Sequence, residues 1–247
     1  MINGSTSFNN TYKQSEFEAM LMRDFNVRNQ THYLEAADMQ HDEIEKFKWL
    51  EQSGLLSKNL FFGHFVHPDA AILKETAQYK IGMTWNPLSN GRLASGVADI
   101  PSYLKLGIPV GMGVDGEASS DRADPFENMR SGLYAIRAKY LSAAVLSPYD
   151  VLWLHTMGSA NVLGLQDKVG SLKVGKAADF VLINPARLGV VLEDPYANLV
   201  FVTGENDIDA VYVGGKLLVS QHKVMHQDIQ KIQQKVDSLT SIRNDKK

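Results

Sequence analysis

Between residues 26 and 115 one pattern recurs: a short apolar run, a polar residue at its end, an amphipathic stretch at helical spacing, then another apolar run. That alternation restricts the chain to strands that run the same way with helices crossing over between them, which means a parallel sheet or barrel. The first run, 26–31, leads to His32, and Ile44, Phe47 and Leu50 then share one face of a helix predicted over 38–50. Leu60 to Gly63 leads to His64, with a helix beginning at Pro68 and placing Ile72, Leu73, Thr76 and Ala77 on one side. A third strand, 81–85, ends in the turn-rich run Asn86-Pro87-Leu88-Ser89-Asn90-Gly91-Arg92. A helix over 99–106, capped by Asp99, precedes the fourth strand, 110–114, and Asp115 closes it.

Beyond Gly116 the helix signals are local and strong. Asp124-Pro125-Phe126-Glu127 sets a cap, a proline at the first helical position and an acid at the third, for a helix to about Tyr140; Ser147-Pro148-Tyr149-Asp150 repeats it for a helix ending near Gly164. The runs 180–183, 199–202 and 211–219 are β-type, and Gly214-Gly215 is a hairpin turn. From Met225 onward Ile229, Ile232, Val236, Leu239 and Ile242 recur at helical intervals in an otherwise polar tail, an amphipathic helix for docking on the body or on a partner.

Composition excludes several functions. A net charge of -3 with no cluster of Lys and Arg argues against nucleic acid as a partner. With no cysteine there is neither a disulfide framework nor a thiolate metal site, so a transition metal would rest on His and carboxylates, and a reducing cytoplasm is the expected compartment. No apolar run approaches the length of a membrane span, and the first ten residues are polar where an export signal would be apolar.

A polar group at the C-terminal end of a barrel strand projects into the mouth where ligands gather. His32 and Glu35, spaced His-x-x-Glu, can bind a metal and move protons on a substrate, or be an ordinary surface pair. His64 is a satisfied core residue or a functional one. Asp115 is costly to bury without a metal or dense hydrogen bonding, which favours function. His67 orients a ligand or loop, or simply starts a helix; His41 and His155 read as solvated or structural. His222 and His226, four apart, could share a helix face as a metal pair but lie beside a charged tail and are set aside.

Taken together, His32-Tyr33-Leu34-Glu35, Gly63-His64-Phe65-Val66-His67, Asn86-Pro87-Leu88-Ser89-Asn90 and Gly113-Val114-Asp115-Gly116 resemble the amidohydrolase superfamily, in its aminohydrolase and chlorohydrolase branch. The segments 159–164 and 170–183 resemble the end of that family's barrel and its return into a small β-sandwich. The resemblance implies a partial (β/α)8 TIM barrel, about strands 5 to 8 with their helices, plus part of a β-sandwich. The implied division is 1–25 as the end of a preceding barrel unit, 26–168 as the C-terminal half of the barrel, 169–222 as sandwich strands and 223–247 as the tail.

It further implies one divalent metal, zinc first and iron second, held by His32, His64 and Asp115. Asp115 would act as base toward water, Glu35 as proton shuttle, and His64 as the group that polarises substrate or water; Glu35, His64 and Trp85 would line the substrate. The implied reaction is hydrolysis of a carbon-nitrogen bond in a small molecule, by deamination of a cyclic amidine or aminated heterocycle. Two departures stand out. No His-x-His, the family's pair of further metal ligands, occurs among the seven histidines, and Trp85 stands where many relatives have histidine. The alternative is therefore a truncated, inactive fragment, or a chain completed by an N-terminal half or a second copy. An open half-barrel would leave an unpaired edge at the strand of His32.

Overall fold

The computed structural model describes residues 1–4, 11–189 and 193–244, and the side chains of 240–244 lie outside what is described. The first body comprises β1 (Ile2–Gly4), α1 (Tyr12–Asp24), β2 (Asn29–Tyr33), α2 (Gln40–Gln52), β3 (Leu60–His64), α3 (Ala70–Gln78), β4 (Gly82–Trp85), α4 (Pro87–Arg92), α5 (Ile100–Lys105), β5 (Val110–Met112), α6 (Glu117–Ser120), α7 (Pro125–Tyr140), α8 (Pro148–Trp153) and, after a π-helical turn over Leu154–Gly158, α9 (Ser159–Leu163). Its five strands are parallel and pair in chain order, β1 to β5, as consecutive strands of a β/α barrel do. The edge predicted at the strand of His32 is thus covered: Ile2 to Gly4 pair with Asn29 to Thr31, which leaves β1 outermost.

Strand alternation divides the side chains. Tyr33, Phe62, Met83 and Trp85 turn toward the helices and are fully buried or nearly so, in a core shared with Phe47, Leu50, Ile72 and Leu133. Gln30, His32, Phe61 and Thr84 turn to the other, concave face, where Gly63, Gly82 and Gly111 fall in register with them. A side chain at Gly111 would meet the Ser159 Cα at 2.8 Å, and one at Gly82 would meet Val162 at 3.2 Å, so these glycines allow α9 to pack there. Ser159 Oγ accepts from Met112 N at 3.0 Å and donates to Met112 O at 2.8 Å. Its hydroxyl thereby satisfies backbone groups on the side of β5 away from β4.

The second body holds β6 (Phe180–Ile183), α10 (Pro185–Leu188), β7 (Ile208–Val213), β8 (Lys216–Ser220), β9 (Lys223–Val224) and α12 (Ile229–Asn244), while α11 (Pro195–Phe201) packs back on α7 and α8 and adds Val200 to the core of the first. Its strands form one antiparallel sheet in the order β6-β7-β8-β9, with the β7–β8 hairpin turning at Gly214 and Gly215, both at positive φ. The strand expected over 199–202 is instead the end of α11. Asp194 accepts from the Tyr196 and Ala197 amides and Pro195 opens the first turn, so a start signal upstream outweighs the β-branched run. The turn expected over 86–92 is likewise a short helix, opened by Pro87. Asp99 precedes α5 without its side chain bonding the helix backbone, contrary to the cap expected of it.

The apolar residues Ile229, Ile232, Val236 and Leu239 of α12 are all exposed rather than docked; the side chain of Ile242 lies outside the described residues. His222 and His226 sit in turns around β9 at positive φ, not on a shared helix face. No helix among the described residues is long and apolar enough to cross a membrane.

Candidate metal centre

The C-terminal ends of β2, β3 and β5 bring His32, His64 and Asp115 together, with one ligand atom from each lying within 4.8 Å of the others. His32 reaches the centre from the concave face of β2, and its ring centroid is 4.9 Å from that of His64. His64 ends β3 at φ +66° and Asp115 follows β5 at φ +64°, so at both points the chain turns left-handed to bring the side chain inward. The imidazole of His64 is 1% exposed.

The partners of His64 are polar on both sides. Nδ1 lies 2.9 Å from Asn90 Nδ2 and 3.4 Å from Glu35 Oε1, and Nε2 lies 3.7 Å from Asp115 Oδ2. The Asn86 amide is best satisfied with its nitrogen donating to the carbonyls of Gly113 and Trp85, at 3.1 and 3.3 Å, which turns its oxygen to His64. Burial pushes the His64 imidazole below its ordinary pKa; Glu35 opposes that shift, His32 adds to it, and Asp115 opposes it. That shift favours the neutral form of the imidazole.

Both carboxylates are held. Asp115 Oδ2 accepts from Ser89 Oγ at 2.6 Å and Oδ1 from Gly116 N at 2.8 Å. Glu35 Oε1 accepts from Ser95 Oγ at 3.1 Å, and Ser95 O in turn lies 2.6 Å from His67 Nε2, so His67 braces the loop that holds Glu35. The segment 86–95 thus contacts each of Glu35, His64 and Asp115. Its motif was visible in the sequence, but its serines and asparagines carried no assigned role. The signal was there in the packing of hydroxyl and amide residues behind one proline.

Trp85 is the correction. It is 1% exposed and lies in the helix layer, where a side chain at Gly132 would meet its ring at 2.7 Å. Thr84, one position earlier, takes the concave face instead, so Trp85, like Glu35 and His64, is absent from the lining of the cavity on that face. That cavity, of about 390 Å³, reaches His32, Asn86 and Asp115 and is bounded by Phe61, Thr84 and Ser159. A smaller one, of about 170 Å³, lies at the opposite strand ends among Arg28, Lys58 and Lys80, with neither imidazole nor carboxylate in its lining, and offers no acid-base pair. His41 is exposed, and burial lowers the pKa of His155, whose Nε2 has no hydrogen-bond partner among the described residues.

Two imidazoles and a carboxylate are the donor set that zinc and similar divalent ions take, and the serine behind Asp115 is the outer support such a ligand needs. A second carboxylate, Glu35, stands beside the set without belonging to it.

The family model that matches residues 5–218 is that of the amidohydrolase family. A 5-methylthioadenosine/S-adenosylhomocysteine deaminase of Desulforudis audaxviator (strain MP104C) is 36% identical over 181 residues, covering 72% of this chain and 42% of that protein. The chain spans about half the length of the curated relatives it matches. Among solved structures, an adenosine deaminase from Xanthomonas campestris with bound zinc superposes with a TM-score of 0.88 at 24% identity, over 95% of this chain and 55% of that one. Atrazine chlorohydrolase TrzN from Arthrobacter aurescens TC1, complexed with zinc, gives 0.81 at 28% identity over 93% and 52%.

Proposed function

Because this chain belongs to the amidohydrolase family, we propose that it forms the C-terminal part of the site of a metal-dependent hydrolase that deaminates an aminated heterocycle, with β2 to β5 as the fifth to eighth barrel strands. The observation that carries the proposal is the convergence of His32, His64 and Asp115 on one point, with Glu35 3.4 Å from His64. The names of the relatives, deaminases of adenosine-like compounds among them, support a small molecule bearing an exocyclic amine as substrate. The expected compartment is the cytoplasm.

His32, His64 and Asp115 would hold one divalent ion, zinc before iron. When bound, that ion supplies Lewis acidity that makes a water easier to deprotonate near neutral pH. Asp115 takes the water's proton as its oxygen bonds to the ring carbon. Ser89, on Asp115 Oδ2, keeps that carboxylate aimed. That proton passes by way of Glu35 to the leaving nitrogen as the carbon-nitrogen bond breaks, and ammonia departs with both carboxylates restored. Asn90, on His64 Nδ1, fixes the ring so that Nε2 faces the centre beside Asp115.

A second reading, a chain that binds metal weakly and does not turn over, is favoured by one observation: no His-x-His, the family's further pair of ligands, exists among its seven histidines, and a smaller ligand set holds its ion less tightly. One experiment separates the two. Purified chain is dialysed and its zinc and iron measured, and ammonia release is followed on methylthioadenosine, adenosylhomocysteine, guanine and an aminotriazine. Metal near one equivalent, lost in Asp115→Asn, supports the metal centre, and ammonia release supports the deaminase. Metal uptake equal in wild type and Asp115→Asn would overturn the assignment of the ligands.

A further inference from the structure

Helix α2 carries an acid where its pattern calls for an apolar residue. Glu43 shares a face with Phe47 and Leu50 and is 1% exposed. Its Oε2 accepts from the Leu34 amide at 2.7 Å, and its own carbonyl accepts from the Tyr33 hydroxyl at 2.7 Å. Leu34 lies between His32 and Glu35, is wholly buried, and sits at φ +51°, a left-handed conformation that a branched side chain avoids. The Leu34 carbonyl accepts from the amides of both Val66 and His67, at 2.8 and 3.0 Å, which ties the end of β2 to the chain just past His64. Leu34 is therefore the joint at which the two histidine strands meet, and a carboxylate from α2 holds it. Without that acceptor its amide would be a buried, unpaired donor, relieved by leaving the left-handed turn that directs Glu35 toward His64.

We propose that Glu43 is a positioning residue: its buried carboxylate fixes the turn at Leu34 and so sets Glu35 and His32 around the metal centre. The inference deepens the proposed function and rests on it for the meaning of the centre, but its geometry stands independently. An ordinary core residue would be Leu here, and a carboxylate is costly to bury unless its hydrogen bonds matter to the fold around it.

The test uses the full 247-residue chain with cobalt(II) as the metal probe, and compares wild type, Glu43→Leu and Glu43→Gln. Amide hydrogen exchange is read at Leu34, Val66 and His67 against Phe61 and Phe62, and cobalt affinity is read from its visible absorption. In Glu43→Leu the first three amides exchange at least about tenfold faster, those of Phe61 and Phe62 keep their rates, and cobalt binds roughly 10- to 100-fold more weakly. Glu43→Gln keeps an acceptor oxygen and restores both readouts. The proposal is overturned if Leu34 exchange is unchanged in Glu43→Leu, if Phe61 and Phe62 accelerate as much as Leu34, or if Glu43→Gln behaves as Glu43→Leu does. A wild-type chain that takes up no cobalt counts against the metal reading, while exchange at Leu34 still decides the role of Glu43.

Discussion

The β7–β8 hairpin and the mouth of the parallel sheet turn the chain by opposite means. In the antiparallel sheet the β7–β8 turn falls on Gly214 and Gly215, which adopt positive φ at no steric cost. At the C-terminal ends of the parallel strands the left-handed positions fall on Leu34, His64, Phe65 and Asp115, each with a side chain that makes such a conformation cost roughly 1–2 kcal/mol. Strain of that kind persists only where the surroundings over-determine it, and here the surroundings are Glu43, Asn90, Ser89 and the Leu34 joint. Glycine would relax these turns but would remove the imidazole and carboxylates that they aim. The comparison teaches that backbone ease and chemical function compete residue by residue, and that the parallel sheet concedes ease at the mouth.

Breaking the chemical side of that contrast gives the largest effect. Asp115→Asn leaves the fold and melting temperature near wild type, yet lowers turnover in an active holoenzyme by at least about 10²- to 10⁴-fold; steady-state kinetics in excess zinc, which offsets the variant's weaker hold on the ion, measure it, and near-normal activity would remove Asp115 from the reaction. Breaking the packing side comes next. Trp85→Ala costs about 3–5 kcal/mol in urea unfolding, because it empties the helix layer beside Gly132, while an assay of substrate preference should show no change.

A paired substitution sharpens the contrast itself. Gly215→Ala destabilises by roughly 1 kcal/mol, whereas Leu141→Gly, at φ +52° and 92% exposed past the end of α7, stabilises by a few tenths to about 1 kcal/mol. Equal signs for the two would mean that positive φ is not what separates the regions.

Acid sensitivity follows from His155. Its folded pKa is lowered by burial, so the unfolded chain binds the proton more readily; the stabilising effect of its neutral form is complete above the unfolded value near 6.5 and fades as the pH falls below it. His155→Phe should flatten the loss of stability on acidification, as read by melting temperature across a pH series. The smallest effect belongs to α12: Ile232→Ser, at a half-exposed position, shifts unfolding by less than about 0.5 kcal/mol.

What could be read from the sequence was whatever a few neighbouring residues decide. Asp124 bonds the Phe126 and Glu127 amides and Ser147 forms a full capping box with Asp150, so α7 and α8 begin where those residues stand. The Gly214-Gly215 hairpin is equally local. At 199–202 two local signals conflicted, and the cap at Asp194 prevailed over a β-branched run. The direction of Trp85 needed only the two-residue alternation applied from Thr84, but its neighbour in the Asn-Pro motif drew attention to the mouth instead. The proximity of His32, His64 and Asp115 rests on strand order, which the βα repeat implied. The roles of Ser89, Ser95 and Glu43 rest on contacts across 9 to 60 positions, which no local pattern encodes. Glu43 left one trace: an acid in phase with Phe47 and Leu50.

The hydroxyl of Ser159 on the backbone of Met112 has a consequence for how copies of this chain could associate. Growth of a sheet from molecule to molecule needs two free borders, one to offer and one to receive. Here the border at Met112 is stoppered by a single side chain, so a further strand, from this chain or another, pairs along β5 only where Ser159 gives up those backbone groups.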